Sequence, residues 1–213
     1  MARIAGSNGR ETAERIREAA LRLFARHGYA AVSMREIAGD VGIGAAAIYN
    51  HFATKQDLLA DLMSRHFACL MAGWMADPGS AKSTAPEEAL AAFTLFHIRY
   101  QRENADEVSV AYMELRSLEQ PNFHRFDHLR RSFEEQLTSI LERGVAAGTF
   151  HTPDVNVASL AILAMLTGMN GWFRQTARVS VAEAESIYVD MVARAVTPLP
   201  VHAGRQSVSH AVQ

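Results

Sequence analysis

The sequence is poor in cysteine: Cys69 is the only one among 213 residues. No disulfide can close within the chain, which excludes a disulfide-stapled secreted scaffold and makes a reducing cytoplasm the simplest expected setting. No uninterrupted apolar run approaches the length of a bilayer span. The first residues lack the apolar stretch of a secretory signal. Strand-type alternation, internal repeats and low-complexity tracts are missing as well. An excess of positive charge is also missing, since the formal net charge is −2. The total therefore announces no nucleic-acid partner.

What is present is unevenly distributed. Residues 1–60 carry eight Lys or Arg and six Asp or Glu, whereas the remainder carries thirteen and seventeen. A slightly basic head on a mildly acidic body fits a DNA-facing N-terminus. Hydrophobic residues make up 49% of the chain, enough for a sizeable core.

Nearly every segment has the helical period. Ile16, Ala19, Ala20, Leu23 and Phe24 give a first helix one apolar face. Thr12 is its expected N-cap and Gly28 its C-terminal stop. Ser33-Met34-Arg35-Glu36 has the capping-box spacing, in which hydroxyl and carboxylate satisfy two backbone amides reciprocally. The helix it opens buries Ile37 and Val41 and stops at Gly42. A further short helix is expected from about Gly44, with Ile48 and Phe52 inward. A longer one runs from Lys55 to about Met75, and Asp77 to Pro86 reads as a loop. Beyond it, helices are expected over roughly 87–103, 105–117, 122–147, 155–174 and 181–196. Residues 155–174 are apolar nearly all round, as in a helix touching several neighbours. From Pro198 onward periodicity is lost and a disordered tail is expected. The predicted fold class is all-α. The expected units are residues 1–54, a three-helix head with a helix-turn-helix, residues 55–197, a helical body, and the tail 198–213.

Two short helices joined by Val41-Gly42-Ile43-Gly44 after a supporting helix form the helix-turn-helix pattern. Its second helix would expose Ala45, Ala46, Ala47, Tyr49, Asn50 and His51. Small residues at its start permit close approach to a major-groove floor. Three alanines offer methyl groups but no hydrogen bonds, so base discrimination would lean on thymine methyls, on Asn50 or Arg35, and on DNA shape.

Together, Ala19-Ala20, Leu23-Phe24, Gly28-Tyr29, Ser33 to Ala38, Val41 to Gly44, Ile48 to Phe52, Lys55 and Leu58-Leu59 resemble the signature of the tetracycline-repressor (TetR) family. The resemblance implies a dimeric transcriptional regulator, by default a repressor. It would bind a palindromic double-stranded DNA operator and be released by a small-molecule effector. It further implies that Ser33, Tyr49, His51 and Lys55 contact phosphates, that Gly44 to Asn50 face bases, and that the last two long helices form the homodimer. Gly44 departs from the family's usual Ser or Thr, which removes a capping hydroxyl.

The body has no phosphate-binding glycine loop, no nucleophile elbow and no cysteine cluster, so no cofactor is expected. A helical enzyme acting on a lipophilic or acyl-thioester substrate is the competing class, but no base and nucleophile or metal set is evident. His124 and His128 share a helix face, yet two histidines make a poor metal site, and none is assigned. Phe96, Tyr100, Met113, Arg116, Met165, Met169, Trp172 and Phe173 are the candidate effector-binding residues. Aromatic and Met side chains suit an adaptable apolar pocket, and a buried Arg would favour an anionic group. Tyr112 to Arg116, with Phe96-His97 and Gly171 to Arg174, resembles TetR-type regulators of fatty-acid and steroid breakdown. That likeness implies an acyl-CoA effector.

Overall fold

The computed structural model describes residues 5–82, 84–173 and 179–197. Among these residues the chain is helical and contains no strand. Helix α1 spans Ala5–His27, α2 Met34–Val41, α3 Lys55–Ala76 and α4 Pro86–Glu103. Helix α5 spans Ala105–Met113, α6 Gln120–Ala146, α7 Val155–Phe173 and α8 Val181–Val196. The expected boundaries hold to within a few residues, with four differences, one of them the helix expected from about Gly44, described below. Helix α1 begins well before Thr12, so Thr12 is not its N-cap. The 105–117 helix ends at Met113 and continues as a 3-10 turn, Leu115–Ser117. The loop after α3 contains a 3-10 turn, Pro78–Ser80, started by the Asp77 side chain accepting from the Gly79 amide at 2.8 Å. The tail beyond Thr197 lies outside the described residues.

Local chemistry accounts for many of the helix ends. Ser33 with Glu36 and Ser180 with Glu183 form complete capping boxes, and Thr54 caps α3 through the Asp57 amide. Pro86 occupies the first turn of α4, where its missing N–H leaves no bond unmade. Between α6 and α7 the chain doubles back so tightly that the Phe150 ring covers Gly144. A Cβ there would fall 1.9 Å from that ring.

One continuous apolar core runs through the molecule. Ile16, Phe24, Ile37 and Ile48 anchor the head, and Phe67, Trp74, Phe93, Phe133 and Leu137 fill the body. Helix α6 packs against α3, α4 and α7, while α4 also packs on α8. Helix α3 belongs to both regions. Its first turn closes the head, and its later turns carry Phe67, Leu70 and Trp74 into the body. Helix α1 rests on α2 and also on α5, so displacement of α5 would bear directly on the head.

Candidate functional site

The turn after α2 is built from the backbone outward. Gly42 adopts φ 77°, a left-handed conformation favouring glycine, and its amide closes the helix onto Ala38 and Gly39. The chain then winds through successive tight turns: the Ala47 amide donates to Gly44 O at 2.8 Å and Asn50 to Ala47 O at 3.2 Å. Only Ile48–Asn50 forms a regular 3-10 turn, and no side chain caps it. The expected second α-helix is thus replaced by a tighter coil. With Gly44 in place of a hydroxyl residue, nothing at the start holds the free amides in α-helical register. Buried Ile48 and Phe52 fix this coil from below, and the Arg17 guanidinium lies 5.2 Å from the Phe52 ring. Gly44, Ala45, Ala46, Tyr49 and Asn50 all face outward, Tyr49 being 54% exposed. His51 is half-buried beside them.

Ser33 and Arg35 are exposed on the neighbouring edge. The Ser33 hydroxyl is engaged within its own capping box, donating to Glu36 at 2.8 Å and accepting from the Glu36 amide at 3.2 Å. The Ser33 amide, donating to the Glu36 carboxylate at 2.7 Å, and then the Ser33 hydroxyl hold that carboxyl below its usual range. Lys55, expected to contact phosphate, is engaged within the chain. Its ammonium donates to Tyr29 O at 2.9 Å and Val32 O at 2.8 Å, and it sits 4.0 Å from the centroid of the Tyr29 ring. The loop between α1 and α2 has carbonyls that no helix satisfies, and the ammonium staples them.

A hydrogen-bonded bridge joins this loop to the body. Glu114 accepts from the Tyr29 amide at 2.9 Å and from the Ser117 hydroxyl at 2.8 Å. Gln56 donates to Ser117 O at 2.6 Å and to the Tyr29 hydroxyl at 3.0 Å, and accepts from the Glu119 amide at 3.1 Å.

Inside the body, the expected effector residues separate into groups. Phe96 and Tyr100 pack together, ring centroids 5.8 Å apart, over Gly73. Met169 is buried and Met165 half-buried on α7. Met113 and Arg116 do not join them: Met113 is 79% exposed and Arg116 lies exposed on the 3-10 turn. The reason is the helical period. Tyr112 points toward Phe67 and His66, so Met113, a further 100° round, faces solvent. The side chains of Trp172 and Phe173, and all of Arg174, lie outside the described residues. His124 and His128 are both exposed, and the described residues contain no group of three ligands placed to hold a metal.

Residues 83–196, more than half of the chain, match the family described as tetracyclin repressor-like, C-terminal domain. Residues 16–62 match bacterial regulatory proteins, tetR family. The chain belongs to the TetR family. A bacterial regulatory protein of this family from Rhodococcus RHA1 superposes with a TM-score of 0.83 at 30% identity, over 89% of this chain and 98% of that one. The HTH-type transcriptional repressor KstR2 of Rhodococcus jostii is 27% identical over 88% of this chain and 91% of its own length. AibR, solved in complex with isovaleryl coenzyme A and operator DNA, shares the fold at a TM-score of 0.78 and 23% identity, over 84% of this chain and 97% of AibR. This TetR-family chain is a transcriptional regulator and not an enzyme. No helix of the described residues is long and apolar enough to cross a membrane.

Two buried residues of this TetR body carry chemistry that the candidate set omitted. His66 on α3 and His97 on α4 are buried, and three of their ring nitrogens meet no partner: Nδ1 and Nε2 of His66 and Nδ1 of His97. Burial lowers their pKa values to about 4 and about 3, so both rings are neutral at physiological pH. A signal existed in the sequence, since His66 falls in the apolar row of Leu59, Leu62, Met63, Phe67 and Leu70. A polar residue on such a face demands a partner or a purpose.

Proposed function

We propose that this chain acts as a dimeric repressor that binds a palindromic operator and is released by a small effector of the acyl-CoA thioester class. The observation that carries the DNA reading is the coil Gly44–Asn50. It offers a small, outward-facing surface held rigid by Ile48 and Phe52, and the methyls of Ala45 and Ala46 can reach a groove floor without obstruction. Tyr49, His51, Ser33 and Arg35 flank it as phosphate or base contacts. Lys55 contributes by holding the Tyr29–Val32 loop in place.

Dimerisation is supported by an apolar face left open on the last two helices. Val157 and Leu160 of α7 and Ile187 and Met191 of α8 are large hydrophobic side chains exposed on a single chain. A Cβ at Gly168 or Gly171 would meet nothing within 4 Å, leaving room for a second backbone to approach. A symmetric four-helix contact would bury this face and set the two coils about 34 Å apart, one turn of DNA. AibR's complex with isovaleryl coenzyme A supports the effector class. Effector binding shifts the dimer only if it prefers the non-binding spacing.

The deciding experiment titrates the full-length dimer against its own upstream DNA over a range of salt, with and without a panel of acyl-CoAs. Tight, palindrome-dependent binding that an acyl-CoA reverses supports the whole reading. Binding that no acyl-CoA reverses removes the effector class and leaves the regulator. Ala46→Trp is expected to weaken operator binding at least 100-fold with the fold intact. Unchanged affinity in a mobility-shift titration of that variant would show that the coil does not enter the groove.

A further inference from the structure

The effector chamber expected from the sequence included the cation of Arg116, which lies exposed. Among the described residues no Lys, Arg, Asp or Glu side chain is buried; the buried polar set is Ser64, His66, Thr94, His97, Gln101 and Ser159. Thr94 and Ser159 each have a protein partner close by. The two histidines differ. His97 Nε2 lies beside the Gln101 amide nitrogen, and with the amide as donor the ring's proton sits on Nδ1, which has no acceptor. His66 has neither ring nitrogen paired, so it offers one donor and one lone pair whichever tautomer it adopts. Aromatic rings enclose both: Phe67, Tyr100 and Tyr112 around His66, and Phe93 and Phe133 stacked on His97. Phe or Leu would fill these positions without the free-energy penalty of an unmade hydrogen bond, about 1–3 kcal/mol per group.

We infer that His66 and His97 are the polar anchor of the effector chamber, taking the oxygen of an uncharged carbonyl, thioester or ketone, on an otherwise apolar ligand. The inference rests on the effector-responsive reading above and narrows its chemistry. A neutral imidazole N–H donates well to a carbonyl oxygen. A carboxylate would have to leave the partly exposed Arg17 and Arg65 of the cleft below for a place where no described Lys or Arg side chain is buried, or would have to bring a proton onto a ring that burial keeps neutral. Tyr112, bonded to Thr167, and Gln101, 3.4 Å from the same hydroxyl, tie the cluster to α7. Occupancy of the anchor is therefore felt on α3, α4, α5 and α7 together. A cleft of about 300 Å³ between α1, α3 and the α4–α5 junction is lined by Leu62, His66 and Tyr100 together with the charged side chains of Arg17, Arg65 and Glu107.

The test is imidazole nitrogen NMR on full-length, histidine-labelled protein, titrated with a long-chain methyl ketone, the fatty acid of equal length and its coenzyme A thioester. His66→Phe and His97→Phe, or the Gln variants if either fails to fold, assign the two rings; the wild-type titration depends on none of them. The ketone and the thioester are expected to move both ring signals, and the acid is not. Ketone affinity should fall about tenfold in His97→Phe, the loss of one bond to a buried donor. Movement with the ketone but not the thioester leaves the anchor standing and removes the coenzyme A class. A thioester that releases the operator without moving either ring keeps the class and overturns the anchor. Binding of the acid with proton uptake overturns the neutral chemistry, and no movement with any of the three overturns the inference outright.

Discussion

Around the recognition coil, polar groups find partners close at hand. Ser33 and Glu36 satisfy each other across three residues, and Lys55 holds two carbonyls of a single loop. In the body, the His66 and His97 imidazoles lie buried with ring nitrogens that meet no protein partner. The head is a preorganised surface: its capping and loop groups are matched, and Ala45 and Ala46 face outward beside Arg35, Tyr49 and Asn50. The body instead holds unmatched hydrogen-bonding capacity within an apolar core. The first arrangement suits a rigid partner such as duplex DNA, read by shape and methyl contacts. The second suits a ligand that completes it.

The largest test of this contrast is pH. The unfolded chain takes up protons on these histidines below about 6.5, whereas the folded chain keeps the rings neutral down to about 4 and about 3. The unfolded state thus binds more protons as pH falls, and stability drops from pH 6.5 toward 4. Two rings held neutral correspond to on the order of 5 kcal/mol lost by pH 4.5. Denaturant melts of wild type and His66→Phe/His97→Phe should diverge over that window, the variant showing the shallower fall. Parallel curves would mean that the rings are not buried neutral.

Lys55→Met comes next and separates staple from phosphate contact. Loss of two charge-assisted bonds should cost about 2–4 kcal/mol of stability, read by chemical denaturation. Because the ammonium faces loop carbonyls, the salt dependence of operator binding should keep its slope; a slope lower by about one would place Lys55 on a phosphate. Ser33→Ala should cost about 1 kcal/mol through the lost cap and leave the body's ligand response untouched, as a thermal-shift titration would show. The smallest effect belongs to Met113→Ala. With its side chain in solvent, stability should change by less than about 0.5 kcal/mol and effector affinity should not change; weakened effector binding would return Met113 to the chamber.

The helix order, the Ser33–Glu36 box, the stop at Gly42 and the burial of Ile48 and Phe52 were legible because each depends on residues a few positions apart. The same local logic failed where local signals compete. Thr12 has cap chemistry but sits within an apolar periodicity that extends the helix past it. The chain from Gly44 to Asn50 winds more tightly than the spacing of its apolar residues suggests. Met113 and Arg116 looked like pocket residues by type, and the structure places Met113 toward solvent on α5 and Arg116 exposed on the 3-10 turn that follows.

By itself, then, the sequence determined the all-helical class, the positions of α2 to α8 and which residues after Gly44 face outward, but not that they form a coil in place of a helix. Those follow from spacing of three or four residues and from backbone capping. Tertiary structure alone decided that Lys55 closes a loop 23 and 26 residues upstream, that Glu114 reaches the Tyr29 amide 85 residues away, and that His66 of α3 and His97 of α4 are both buried in the body. Such pairings depend on how whole helices pack against one another. No window short enough to show a periodicity contains both partners.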